Sequence, residues 1–190
     1  MFGLMSSTNA YDNIIKPFVA LAPVTRINSM RSPIRLIAGN PLIESFFRIE
    51  AGKFLPSTKI VEFLVDQMCR VPFRAICSNI LFMLAGYDSK QLNSTRIPVY
   101  FTHSPAGTSS WDVLHFSQSY RLKQFAKFDY GKHMNVEMYG QFTPPVYDLG
   151  RIGSKHIALL FSLNDWLADT DDVQFLMQSL RGWCCVWKYL

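Results

Sequence analysis

What the chain lacks narrows it first. No run reaches the roughly 18 consecutive apolar residues of a membrane span. The best candidate, residues 73–86, contains Arg74, Ser78 and Asn79 and reads as a buried helix. The four cysteines, Cys69, Cys77, Cys184 and Cys185, are too few for a disulfide-dense mini-protein, and their spacing fits no zinc pattern. Met1-Phe2-Gly3-Leu4-Met5 is apolar, but no basic segment precedes it and no clean small-residue cleavage site follows, so no signal peptide is read in this chain. There is no internal repeat, no low-complexity stretch and no periodic glycine, which excludes a collagen-like chain. With 49% of residues hydrophobic there is too little polar excess for a disordered one. Charge is scarce as well: Lys+Arg 19 against Asp+Glu 14 gives a net +5. Its densest cluster, Arg26, Arg31 and Arg35, is broken by apolar residues and proline. Nucleic-acid binders concentrate charge on one face, so no nucleic-acid partner is expected.

What is present is apolar and aromatic. Hydrophobic residues make up 49% of the 190, with 15 Phe and 8 Tyr, enough for a large core or a greasy binding surface in about one domain's worth of chain. Residues 1–16 have helical texture with nothing to cap the start. Residues 17–23 form a short apolar run between prolines, the texture of a strand buried on both faces of a parallel sheet. From Thr25 to about Gly150 short helical patterns and loops take over. Ser57 can cap a helix through Cys69. A second helix spans Phe73 to Leu84 and stops at Gly86, where a left-handed cap suits glycine. Residues 97–101 read as a short extended piece, and Ser109 with Asp112 as a capping-box-like helix start carrying Trp111, Leu114, Leu122 and Phe125. Ile157-Ala158-Leu159-Leu160-Phe161 restores strand texture, and Thr170 can cap a helix from Asp171 to Leu180. The order is thus strand, long mixed insertion, strand, helix. Two strands make no stable parallel sheet, so the chain is expected to be a piece of a larger α/β protein.

Asp165 is the sharpest single position. It follows the C-terminal end of an inferred buried strand, where sites gather in open α/β sheets. Two roles stay open from spacing alone: a carboxylate that caps a turn, or one that orients a histidine as the third member of a Ser-His-acid triad. Asp169, Asp171 and Asp172 crowd a helix start, where negative charge offsets the helix dipole, and no metal needs to be invoked for them. A nucleophile elbow requires Gly-x-Ser-x-Gly; the nearest match, Gly107-Thr108-Ser109-Ser110-Trp111, lacks the last glycine and reads as a helix cap. Of the histidines His103, His115, His133 and His156, none follows Asp165. Cys69 and Cys77 read as structural, since nothing near them in sequence would lower a thiol pKa.

The stretch Val99-Tyr100-Phe101-Thr102-His103-Ser104-Pro105-Ala106-Gly107-Thr108-Ser109 resembles one in the acid lipases, the gastric and lysosomal family of α/β-hydrolases. The resemblance continues through Leu114-His115-Phe116-Ser117-Gln118, Lys127-Phe128-Asp129-Tyr130-Gly131 and Pro144-Pro145-Val146-Tyr147-Asp148. It reaches Asn164-Asp165-Trp166-Leu167-Ala168-Asp169, and upstream it includes Phe18-Val19-Ala20-Leu21-Ala22-Pro23-Val24. It implies a partial α/β-hydrolase fold: core segments at 1–24 and 151–180, a largely helical cap and lid at 25–150, and a divergent tail at 181–190. It also implies a serine esterase of neutral lipids, a triacylglycerol or steryl-ester lipase, without cofactor, meeting its lipid ester substrate at a lipid surface through the lid. Asp165 then becomes the triad acid. Cys69 and Cys77 lie near the family's cap disulfide, and Asn93-Ser94-Thr95 is an N-glycosylation acceptor, in keeping with a secreted or lysosomal member. The family serine belongs before residue 1 and the family histidine beyond the last helix, so the chain alone is expected to be inactive. The rival expectation is a non-catalytic truncated isoform that binds lipid or a protein partner through its cap.

Overall fold

The computed structural model describes residues 1–11, 14–15, 17–49, 53–54, 74–88, 90, 92–97, 99–100, 107–153, 156–180 and 184–189. In chain order the described helices are α1 (Phe2–Ser7), α2 (Ile34–Ala38), α3 (Pro41–Ile49), α4 (Arg74–Ala85), α5 (Ser110–Leu122), α6 (Lys132–Tyr139) and α7 (Thr170–Ser179). The strands are β1 (Phe18–Leu21), β2 (Lys53–Phe54), β3 (Thr108–Ser109), β4 (Ile157–Ser162) and β5 (Cys184–Tyr189). They fall into two compact units, Met1–Arg31 with Gln118–Leu190, and Ser32–Ser117. Among the described residues no helix is long and apolar enough to cross a membrane.

The first unit is built on a parallel sheet of order β1-β4-β5. Phe18 pairs with Ile157 and Leu21 with Leu160 on one side of β4; Ile157 pairs with Cys184 and Ser162 with Tyr189 on the other. Parallel neighbours need a crossover, and α7 supplies the one between β4 and β5. Cys184–Tyr189, inside the stretch expected as a divergent tail, thus contributes a third strand. In β4 the alternate residues Ile157, Leu159 and Phe161 are all buried, the period-2 pattern of a pleated strand. Ile157 and Leu159 join Phe2 and Met5 of α1, Ala20 of β1, Leu149, Ile152, and Leu176 and Leu180 at the end of α7 in one apolar cluster. Strand β1 departs from expectation. Val19 is 49% and Leu21 73% exposed, because β1 lies at the edge of this sheet and only its Ala20 side turns into the cluster.

Local chemistry explains where the helices stop. The helical texture of residues 1–16 yields only α1 and a 3-10 turn at Asn9–Tyr11. Ser6 and Ser7 both donate their hydroxyls back to the Gly3 carbonyl, at 3.0 and 2.6 Å, and Thr8 accepts from the Ala10 amide at 3.2 Å; such side-chain bonds compete with helix continuation. α4 ends as expected: Gly86 takes φ 111° and donates its amide to the Phe82 carbonyl at 2.9 Å. Residues 97, 99 and 100 are helical rather than extended, continuing a 3-10 turn at Ser94–Arg96 whose start is fixed by Asn93 Oδ1 accepting from the Thr95 amide at 3.1 Å. In the second unit β2 and β3 pair antiparallel, Lys53 with Ser109 and Phe54 with Thr108. The helix expected from Ser57 to Cys69 lies outside the described residues.

Candidate functional site

The site begins where β4 runs out. Ser162 Oγ accepts from the Asn164 amide at 3.2 Å and turns the chain. Three residues past the strand, Asp165 Oδ1 accepts from the amides of Leu167 and Ala168, each at 2.8 Å. This is the turn-capping role that short acidic side chains favour. It occupies one carboxylate oxygen; among the described residues no donor is bonded to Oδ2. Asp165 is half-buried. The arrangement is a carboxylate whose plane is fixed by two amides and whose second oxygen is left to accept from another group.

The next acids anchor that loop. Asp169, only 1% exposed, is the N-cap of α7: its Oδ1 accepts from the Asp171 amide at 3.0 Å. Thr170, expected as the cap, is instead the first helical residue, and its Oγ1 is buried without a partner among the described residues. Asp169 Oδ2 accepts from Arg31 Nε at 2.6 Å. Asp172, one turn on, accepts from Arg26 Nε at 2.9 Å and from the Ser29 amide at 2.8 Å. Burial pushes the Asp172 carboxyl above the ordinary Asp value; the Ser29 amide and Arg26 guanidinium oppose the rise and Asp169 adds to it. The dipole reading of these acids therefore covers only part of their role. Arg26 and Arg31, two-thirds of the basic cluster in the sequence, neutralise them across separations of 146 and 138 residues. Sequence reasoning missed this pairing, since nothing local links residues so far apart.

The remaining candidates are not brought to Asp165. His156 sits at the opposite end of β4, where its carbonyl accepts from the Phe18 amide at 2.8 Å; six strand residues separate them, or about 20 Å at about 3.3 Å per residue. His133 is exposed and lies 3.4 Å from Glu137 on its own helix. His115 is half-buried on α5. Ser109 is a cap, its Oγ accepting from the Trp111 amide at 3.2 Å, while Asp112 takes the Thr108 hydroxyl at 3.1 Å instead of closing a capping box. His103 and Cys69 lie outside the described residues, and the pairing of Cys69 with Cys77 with them. Asn93 is exposed. Among the described residues no group of three or more His, Cys, Asp or Glu side chains could hold a metal. A cleft of about 520 Å³ in the first unit is lined by Arg26, Lys123, Phe125, Val146, Tyr147 and Phe175, among others, but not by Asp165.

Comparison with known proteins decides the kinship. The chain is 40% identical over 172 residues to gastric triacylglycerol lipase of Rattus norvegicus, a match covering 88% of this chain and 43% of the relative. It is 35% identical over 188 residues to lipase lipl-1 of Caenorhabditis elegans, covering 95% of this chain and 46% of the relative. The chain is homologous to the acid lipases. Lysosomal acid lipase/cholesteryl ester hydrolase of Macaca fascicularis is a third such relative, 35% identical over 172 residues, 88% of this chain and 42% of its own length. No protein-family model matches the chain. The chain therefore spans less than half the length of the acid lipases it matches, and the homology runs through both of its units.

Proposed function

We propose that this chain is the part of a neutral-lipid ester hydrolase that carries the triad acid, Asp165, and a helical cap. The observation that carries the reading is the Asp165 carboxylate: it lies past the end of the central parallel strand, with Oδ1 held at 2.8 Å by two amides. An acid held in this way accepts the Nδ1–H of a histidine, fixes its tautomer and stabilises the imidazolium formed when the histidine takes a serine's proton. The serine, once activated, attacks the ester carbonyl and forms an acyl-enzyme that water hydrolyses. The relatives' names, triacylglycerol lipase and cholesteryl ester hydrolase, support the substrate class. The 190 residues contain no Gly-x-Ser-x-Gly and no histidine after Asp165, so the purified chain alone is expected not to turn over p-nitrophenyl butyrate.

The reading places the core of an α/β-hydrolase fold at 1–24 and 151–180 and the cap and lid at 25–150. The exposed sequon at Asn93 supports a glycosylated, secreted or lysosomal product, and a Cys69–Cys77 disulfide belongs to the same reading. The test is to express the gene with its flanking coding sequence and assay its product on trioctanoin emulsions, with and without Asp165→Ala. Loss of a triad acid lowers kcat by about 10⁴-fold. Hydrolysis that survives the substitution at full rate sinks the assignment.

A second reading has its own support: a non-catalytic chain that binds lipid through the cap. Leu36, Leu42 and Phe46 are 73%, 79% and 58% exposed, and Leu42 and Phe46 share one face of α3 at i, i+4 spacing. Exposed apolar groups on a helix are what a lipid surface takes up.

A further inference from the structure

The geometry points to Arg31 as the positioning residue of the Asp165 loop. The inference rests on Asp165 being the triad acid and concerns what holds that acid still. Arg31 grips the loop at two points. Its amide donates to the Trp166 carbonyl at 3.0 Å, and its Nε donates to Asp169 Oδ2 at 2.6 Å. Between Trp166 and Asp169 lie Leu167 and Ala168, whose amides hold Asp165 Oδ1. One residue thus fixes both ends of the segment that supplies the two donors.

The remaining bonds leave this segment little freedom. Asp169 has both oxygens engaged, one by α7 and one by Arg31, and is 1% exposed. The residues just before Arg31 are tied to α7 in parallel, Ser29 and Arg26 to Asp172. Without Arg31 the Asp169 charge would stay buried with no cationic partner, a strongly unfavourable state, and the loop would have to open to hydrate it. Asp165 Oδ2 would then sample many positions instead of one, and catalytic groups lose efficiency when their supporting contacts loosen. Lysine is a poor substitute, because it offers no donor at the Nε position of the arginine stem.

The experiment is amide hydrogen exchange by NMR on the 190-residue chain, comparing the parent with Arg31→Met and Asp169→Asn. Asparagine caps helices as well as aspartate, so Asp169→Asn removes the charge that Arg31 binds and keeps the α7 cap. In both variants exchange at Leu167 and Ala168 is expected to rise at least about tenfold, while Val173 and Leu180 of the α7 region stay within about twofold, the pattern of local rather than global opening. If Arg31→Met fails to fold, Asp169→Asn carries the same readout. Unchanged exchange at Leu167 and Ala168 in a folded variant overturns the positioning role, and so does uniform acceleration of all four amides. Neither result bears on the triad reading, which falls instead if ester hydrolysis survives Asp165→Ala.

Discussion

At the scale of single residues, the buried polar groups of the first unit set its stability. Asp172 has its carboxyl raised in the folded state, chiefly by burial. A raised carboxyl binds its proton more tightly folded than unfolded. Its stabilising contribution is therefore complete below the unfolded Asp value, roughly 4, and is lost as pH climbs through the higher folded value. Over that window Asp172 makes the melting temperature fall with rising pH, and Asp172→Asn is expected to flatten this component. Thermal unfolding followed by circular dichroism in half-unit pH steps reads the difference; identical slopes in parent and variant would contradict it. Asn135 is a neutral counterpart. It is 1% exposed, accepts from the Tyr130 amide at 3.0 Å, and donates to Asp129 Oδ1 at 2.7 Å and to the Phe142 carbonyl at 2.9 Å. Truncation removes all three bonds at a buried site, although Asp129 Oδ1 keeps the Gly131 amide at 2.9 Å, so Asn135→Ala should lower the urea-unfolding free energy by about 2 kcal/mol. A change below about 1 kcal/mol would mean that water replaces the side chain.

At the scale of elements, two strands of one sheet with similar sequences have different surroundings. Leu159 in β4 is 0% exposed between two strands, whereas Leu21 at the edge is 73% exposed. Leu159→Ala should cost about 3 kcal/mol through lost burial and a cavity, and Leu21→Ala within about 0.5 kcal/mol. Equal losses in denaturant titrations would show Leu21 to be covered in solution. This contrast also marks what the sequence can tell. Both apolar runs announce strands, because a continuous hydrophobic stretch of strand length has few other uses. Neither announces its place in the sheet, because edge and centre differ in neighbours and not in composition. Helix ends were legible where one residue type decides them, as at Gly86. They were misread where two adjacent capping residues compete: Thr170 and Asp169 both suit an N-cap, and Asp169 prevails because its second oxygen is paired with Arg31.

At the scale of the whole molecule, Asp165 became a candidate from a strand end and from resemblance, both readable in order along the chain. The arginine paired with Asp169 beside that loop was not readable, since the two residues lie 138 positions apart in the chain. The intervening segment carries the exposed apolar groups that the proposed lipid-facing cap would use. Leu42 and Phe46 stand exposed on α3, while Phe47 beside them and Glu44, paired with Arg48 at 3.0 Å, face inward. α3 therefore turns apolar groups to solvent while burying a charge, an arrangement that makes sense where the outer medium is itself apolar. Half-burying a leucine and a phenylalanine in lipid is worth about 2 kcal/mol in total, or about thirtyfold in partitioning. The double variant Leu42→Ser, Phe46→Ser is thus expected to bind triolein emulsions stabilised with phosphatidylcholine about thirtyfold more weakly in flotation assays. Because Phe46 also meets the Phe47 ring edge-on at 5.5 Å, the helix content of the variant must match the parent's for the comparison to count. Equal flotation at equal helix content would remove α3 from the lipid-facing surface and leave the cap reading to rest on homology alone.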